Sequence, residues 1–393
     1  MNQSTWILIT SLLRDLKVMN EMRLSKSCIG EAEKIAVNRV LDREFFGMGQ
    51  EVKEFERELT NFFGKSAICV VNGTAALQLA LQAVGVGPGD EVLVQSLTYV
   101  ASFQAIRATG ATPIACDIEP SNLCLNLNDA KNKISIRTKA IMPVHYAGGV
   151  GDLNAIYDFA KDHGLRVIED AAHAFGTTYN TKKVGAIGDI CCFSFDGIKN
   201  ITSGEGGCIV TSDENILSKL RDSRLLGVEG DTENRFSGGR TWDPDVKMQG
   251  WRYHMSDLMA AIGRAQLANF DYLRTKRQQL AQNYVHHLKS VPSISVFEHD
   301  YNNVVPHIFV VRLDAGIDRE ALRQYLSKNG VPTGIHYKPN HLLTYFSRKN
   351  QGEFLVTDKL YPTLLTLPLH PDLTEVDVKY VVKVLAQGLR NAK

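Results

Sequence analysis

From about residue 66 to residue 215 the chain alternates between short apolar runs and stretches with helical spacing. The runs Ala67–Val71, Glu91–Gln95, Thr112–Asp117, Ala140–Val144, Arg166–Glu169, Ile190–Ser194 and Gly207–Thr211 read as buried strands. Thr74–Val84, Val100–Ala108 and Leu153–His163 read as helices between them. This alternation predicts an α/β fold with right-handed crossovers and a mostly parallel, mixed sheet covered on both faces. In such sheets a ligand collects at the C-terminal ends of the strands. Upstream, residues 31–42 and 51–63 have helical spacing, with a bend at Gly47-Met48-Gly49. Downstream, Gly227 to Gly250 has no hydrophobic period and reads as a surface loop. Met255–Leu267 is helical and a long helix runs on to about Lys289. From Ser293 the pattern changes: Val304–Leu313 reads as a strand, Arg319–Asn329 as a helix, Pro332–His336 as a strand and Glu375–Arg390 as a closing helix.

These shifts divide the chain into a leader at 1–22, a large domain at 23–275 and a smaller C-terminal α+β domain at 276–393. The run Trp6 to Leu13 is too short to span a bilayer. No lysine or arginine precedes it and no clear small-residue cleavage site follows, so a poorly ordered leader is expected in place of a signal peptide. Met19 and Met22 offer alternative starts. No other segment reaches transmembrane length, so no membrane partner is expected.

Composition narrows the function. With 393 residues and 44% hydrophobic content, two domains can each bury a core. The 44 basic and 43 acidic residues leave a net charge of +1, which removes the electrostatic case for a nucleic-acid or anionic-membrane partner. The seven cysteines are scattered and odd in number, without C-x-x-C or zinc spacing. No metal site is expected. Most of the cysteines read as small core residues of a cytoplasmic protein in a reducing compartment.

Candidate chemistry centres on Lys199. It follows the apolar run Cys192-Phe193-Ser194-Phe195 and precedes Gly204-Glu205-Gly206-Gly207 and a second apolar run. A lysine held between two buried strands is an unusual place for a solvated ammonium, and a lysine with a depressed pKa is a natural Schiff-base nucleophile. Asp170 ends the strand Arg166–Glu169. An acid at such a strand end suits a pyridinium nitrogen, though it could equally cap a following helix. His173 can reach the same ligand, although a lone histidine there is more often structural. Ser194 can donate to a phosphate. Gly73 lets the backbone approach a ligand, Thr74 can cap the helix, and the free amides at that helix start suit a phosphate. Tyr99 can stack on an aromatic ring, or be an ordinary core tyrosine. Each signal is weak alone, but their joint order along the chain suggests pyridoxal 5'-phosphate (PLP).

Several stretches carry a resemblance. They are Asn72-Gly73-Thr74-Ala75-Ala76-Leu77, Gly87-Pro88-Gly89-Asp90-Glu91, Glu169-Asp170-Ala171-Ala172-His173, Lys199-Asn200-Ile201-Thr202, Gly204-Glu205-Gly206-Gly207 and His336-Tyr337 with His341. From about Leu24 to the C-terminus the chain resembles the DegT/DnrJ/EryC1/StrS family of PLP-dependent sugar aminotransferases. These are fold type I (aspartate-aminotransferase-like) enzymes. The resemblance implies that Lys199 forms the Schiff base with the cofactor and shuttles protons. It implies that Asp170 holds the ring nitrogen, His173 the phenolic oxygen, and Ser194, Gly73 and Thr74 the phosphate, with Tyr99 stacked on the ring. His336, Tyr337 and His341 fall in the segment that lines the sugar site in such enzymes. The family works as a homodimer with a shared site, in which an asparagine from the neighbouring subunit touches the phosphate. Here Gly250-Trp251-Arg252-Tyr253-His254-Met255 places Arg252 at that position, and arginine can also bind phosphate.

The implied reaction moves an amino group from L-glutamate, leaving 2-oxoglutarate, to a nucleotide-linked keto sugar. A 4-keto-6-deoxy sugar comes first and a 3-keto sugar second. The product would serve surface polysaccharide such as lipopolysaccharide O-antigen, or a glycosylated metabolite. A sugar-dehydratase branch carries histidine in place of the lysine, so Lys199 favours amine transfer. Another PLP reaction (a lyase or dehydratase) and a non-catalytic PLP- or nucleotide-sugar-binding protein stay open. A nucleotide-binding dehydrogenase is disfavoured, because no Gly-x-Gly-x-x-Gly follows the first strand.

Overall fold

In the computed structural model of the protein, residues 22–239, 242–347 and 352–391 are described. Seven strands form the main sheet: β1 (Ser66–Val70), β2 (Glu91–Gln95), β3 (Thr112–Cys116), β4 (Thr138–Met142), β5 (Arg166–Asp170), β6 (Ile190–Ser194) and β7 (Gly207–Thr211). They lie in the order β1-β7-β6-β5-β4-β2-β3. The pairs β2/β3, β2/β4, β4/β5 and β5/β6 are parallel, while β7 runs antiparallel to both β6 and β1. Strands β2, β6 and β7 are buried along their whole length, as expected of a sheet covered on both faces.

Helices α1 (Glu31–Asp42), α2 (Gln50–Phe63), α3 (Gly73–Ala83), α4 (Val100–Ala108), α5 (Leu127–Lys133), α6 (Leu153–Asp162), α7 (Glu214–Ser223), α8 (Asp257–Ala268) and α9 (Phe270–Leu288) surround it. In α2 the apolar residues Val52, Phe55, Leu59 and Phe63 recur at helical spacing and are buried. Gly64, at φ 72°, ends the helix in the left-handed conformation, its N–H bonded to the Thr60 carbonyl. The short helices α5 and α7, not expected from periodicity, are each fixed by a capping side chain, Asn126 and Asp213.

A second hydrophobic core lies around an antiparallel three-stranded sheet of β8 (Ile294–Val296), β9 (Phe309–Leu313) and β10 (Leu364–Leu367). Helices α10 (Arg319–Lys328) and α11 (Glu375–Asn391) pack on it. Helix α9 serves both cores. Phe270 and Leu273 join the core beneath the large sheet, while Leu280, Ala281, Tyr284 and Leu288 join the second. The expected boundary at 275 therefore falls inside one continuous helix.

Other expectations change. Of Val304–Leu313 only Phe309–Leu313 is a strand, because Val305 and His307 bond their amides to Thr177 and Ala147 of the large domain. Pro332–His336 forms a single bridge, Gly334 to Thr366, and no strand. The expected loop at Gly227–Gly250 contains a helix, Asp231–Phe236, whose Arg235 and Asp231 pair one turn apart at 2.6 Å. The leader expected over 1–22 lies outside the described residues except for Met22, which packs against the second core.

Candidate active site

The site forms where β1, β5 and β6 end. After β1 the chain turns into α3, and Asn72 caps it, its Oδ1 accepting the Ala75 amide at 2.8 Å. The cap is thus Asn72, where the sequence suggested Thr74. The amides of Gly73 and Thr74 have no acceptor among the described residues. A Cβ on Gly73 would stand 2.8 Å from the Cβ of Ser194, so glycine lets the helix start sit directly against β6. Ser194 Oγ accepts the Asp196 amide at 3.3 Å, which leaves its own proton free to donate. Two unpaired amides at a helix N-terminus beside a free hydroxyl make an anion site.

No helix follows Asp170, which excludes the capping role. Its Oδ1 accepts the Ala172 amide at 3.2 Å and its Oδ2 accepts Ser102 Oγ, on α4, at 2.7 Å. Burial pushes the carboxyl above its usual range, and the Ser102 and Ala172 bonds and the Lys199 charge offset this in part. A buried acid so placed favours a protonated nitrogen as its partner. The turn that follows brings His173 back toward the site. It is held by Gly176, at φ 86°, where a Cβ would lie 2.0 Å from the Phe270 ring. His173 Nδ1 accepts the Ala147 amide at 3.3 Å, and burial holds the ring neutral. The proton therefore sits on Nε2, which donates to the Tyr337 hydroxyl at 3.1 Å.

Lys199 lies half-buried in the loop joining β6 to β7. Its Nζ stands 3.4 Å from Nε2 of His307. Burial lowers the amine to about 8, against the pull of Asp170 and Asp196. His307 is buried, its ring centroid 4.4 Å from that of His173, and its Nδ1 has no partner.

These groups share one cavity of about 470 Å³. Gly73, Thr74, Tyr99, Asp170, His173, Ser194, Lys199, His336 and Tyr337 all line it, together with His307 and Glu205. Tyr99 is 57% exposed, no core tyrosine, and its ring lies 5.4 Å from that of Tyr337. His336 is bonded to Thr366 at 2.8 Å, and burial, then the Lys199 charge, lower it to about 4. One residue expected in this chain's own site is not brought here. His341 bonds Ser96 at 2.7 Å and Asp358 at 2.9 Å and stacks on Phe354, away from the cavity. Arg252 pairs its backbone with Leu225, its side chain is exposed, and it does not line the cavity of its own chain. Ser102 and His307 were missed. No local pattern singles them out: Ser102 shares α4 with Gln104 and Arg107, and the run holding His307 also holds Arg312.

Residues 27–386 match the model of the DegT/DnrJ/EryC1/StrS aminotransferase family. The chain belongs to this family. It is similar to the spore coat polysaccharide biosynthesis protein SpsC of Bacillus subtilis, at 35% identity over 93% of this chain and 96% of SpsC. Among solved structures it is similar to the sugar aminotransferase CalS13 of Micromonospora echinospora (29% identity, TM-score 0.85, 93% of this chain and 100% of that one). The PLP form of Spr1654 from Streptococcus pneumoniae is similar as well (27% identity, TM-score 0.87, 95% and 100%). The protein is thus a PLP-dependent aminotransferase of the sugar aminotransferase family, on a fold type I scaffold. The residues present fit the cofactor: a buried acid for a ring nitrogen, unpaired helix amides beside a serine for a phosphate, and an amine of lowered pKa for an aldehyde.

Proposed function

We propose that the protein transfers an amino group from L-glutamate to a nucleotide-linked keto sugar, first a 4-keto-6-deoxy sugar and second a 3-keto sugar. Glutamate leaves as 2-oxoglutarate and the keto carbon leaves bearing the amine. The observation that carries this reading is the amine of Lys199, lowered to about 8 and facing the same cavity as Asp170 and Ser194. When bound, PLP supplies an electron-withdrawing ring that lets hydrogen leave the amine-bearing carbon as a proton. Asp170 would keep a proton on the ring nitrogen. Ser194 Oγ and the amides of Gly73 and Thr74 would hold the phosphate, and Tyr99 would cover one face of the ring. Lys199 would take the proton from the donor carbon and return it to the acceptor, which needs an amine that is free near neutral pH. His173, protonated on Nε2, would donate to an oxygen on the ring or substrate. His336 and Tyr337 would meet the sugar.

The working unit in this reading is a cytoplasmic homodimer, with Arg252 reaching the phosphate of the neighbouring subunit. The exposed Ile35, Leu41, Phe45 and Phe46 on and just after α1 support pairing with a second copy. The free cysteines support a reducing compartment. The product would feed a surface polysaccharide, a use supported by the name of SpsC. The test is a panel of UDP-, dTDP- and GDP-linked keto sugars incubated with glutamate, with the products read by mass spectrometry. An aminated nucleotide sugar formed with matching 2-oxoglutarate is expected. Turnover only of free amino acids, or loss of water from the sugar without gain of nitrogen, would overturn the reading.

A further inference from the structure

Arg277, on α9, is 2% exposed, and its guanidinium makes no ion pair among the described residues. Its Nη1 donates to the carbonyls of Pro306 at 3.4 Å and His307 at 3.2 Å, and its Nη2 to those of Ile198 and Lys199, both at 3.4 Å. Its Nε is buried with no acceptor. A buried cation satisfied only by carbonyls is a costly way to fill a core, and an apolar side chain would pack there more cheaply. Two of the four carbonyls lead into the Lys199 side chain and two into that of His307. These are the side chains that meet at 3.4 Å in the cavity. The planar fork of arginine sets one nitrogen against each backbone segment, whereas a lysine has a single nitrogen for all four carbonyls.

We propose that Arg277 is a positioning residue for Lys199: it ties the Lys199 loop to the His307 segment, and so fixes the amine against the His307 imidazole. The proposal rests on the reading of Lys199 as the reacting amine. The tie also joins the two cores, because Arg277 lies on the part of α9 between them. Around the amine, Asp170 and Asp196 favour the charged form, Arg277 opposes it, and His173, His307 and His336 face it as neutral rings. Arg277 therefore acts on the amine through both place and charge, and two substitutions separate these effects. Arg277→Lys keeps the charge and loses the fork, whereas Arg277→Met loses both.

The test uses the full-length protein, with thermal melts of each variant to establish folding. In the cofactor-loaded enzyme, both variants should lower kcat at saturating amino donor by about 10- to 100-fold, a typical cost of displacing a reacting group, with little change in KM. In protein stripped of cofactor, reductive methylation with labelled formaldehyde, followed by NMR across pH, reads the Lys199 amine directly. Its resonance is assigned by its loss in Lys199→Ala. Arg277→Met should raise the pKa of this amine, and Arg277→Lys should raise it less. His307→Gln should lower kcat as well, and the Arg277→Lys, His307→Gln double variant should lose less than the product of the two single losses. Wild-type kcat and an unchanged Lys199 titration in Arg277→Lys, or losses that multiply in full, would overturn the proposal. Arg277→Lys carries the decision should Arg277→Met not fold. An active Lys199→Ala enzyme would sink the functional reading, while the titration in stripped protein would still decide the role of Arg277.

Discussion

The cavity has two unlike walls. One is made by strand ends of the large sheet and the turns that leave them: Asn72 to Thr74 after β1, Asp170 on β5 and Ser194 on β6. The other is made by His307, His336 and Tyr337, which come from irregular segments beside the second core. Asp170 and Ser194 of the first wall are themselves paired in the ladder, and Asn72 to Thr74 form the turn that leaves β1. The chemistry of this wall relies on backbone amides, small residues and one buried acid. The second wall is held by scattered bonds outside any sheet: His336 to Thr366, Tyr337 to His173, and the His307 amide to the Ala147 carbonyl. In the proposed reaction the sheet wall would fix the cofactor and the other wall would meet the variable partner.

The largest break in that comparison is Lys199→Ala. Transamination should fall more than about 10³-fold, the range for removing a group that serves as base and nucleophile, as read by 2-oxoglutarate release. The same variant carries a pH signature. The amine titrates near 8 when folded and near its ordinary 10.5 when unfolded, so the unfolded chain binds more protons between these values. Stability of the stripped wild type, relative to Lys199→Ala, should therefore rise as pH increases through that window and be flat below it. Denaturant melts of both proteins across pH check the sign. Asp170→Asn comes next. It keeps the shape and can keep the Ser102 contact but removes the charge, and about a 100-fold loss in kcat is expected, as for other single electrostatic contacts in active sites.

Gly73→Ala sharpens the contrast by attacking only the sheet wall. A methyl group 2.8 Å from Ser194 Cβ must push β6 and α3 apart. About a tenfold weaker hold on cofactor is expected, from loss of roughly 1.4 kcal/mol of binding, measured by PLP titration. The smallest effect on turnover belongs to His341→Phe. Its bonds to Ser96 and Asp358 lie outside the cavity, so kcat and KM should stay near wild type. Unfolding should nonetheless become easier by about 1–3 kcal/mol, because the buried Ser96 hydroxyl proton loses the acceptor Nδ1 of His341. A large change in KM for the sugar in this variant would show that His341 reaches the substrate.

The two walls also differ in how legible they were in the sequence. Strand-turn-helix patterning exposed Gly73, Asp170 and Ser194 because their place follows from local chain order, and Lys199 stood out between two apolar runs. The order of the sheet was not readable, since β7 enters antiparallel between β1 and β6 through contacts between distant residues. His307 lies in a run with the pattern of one long strand, and nothing local tells that its first half bonds to Ala147 and Thr177 instead. Arg277 sits on a helix whose two halves serve different cores, so its spacing gave no single face to read. The segment 336–341 shows the limit most directly: the resemblance reached both histidines, and only the fold separates the one in the cavity from the one that pins Ser96.

Ser194 and Gly207 are partners on the same rung of the β6/β7 ladder, so the loop that carries Lys199 leaves and returns at one point. That makes the loop a ruler with a fixed origin. Together with the Arg277 bonds to the Ile198 and Lys199 carbonyls, its length sets how far the amine reaches from the serine. A one-residue slip of β6 cannot absorb an insertion, because it would turn Ser194 to the opposite face of the sheet. An insertion or deletion between 195 and 206 would therefore displace Lys199 even with every side chain of the site kept.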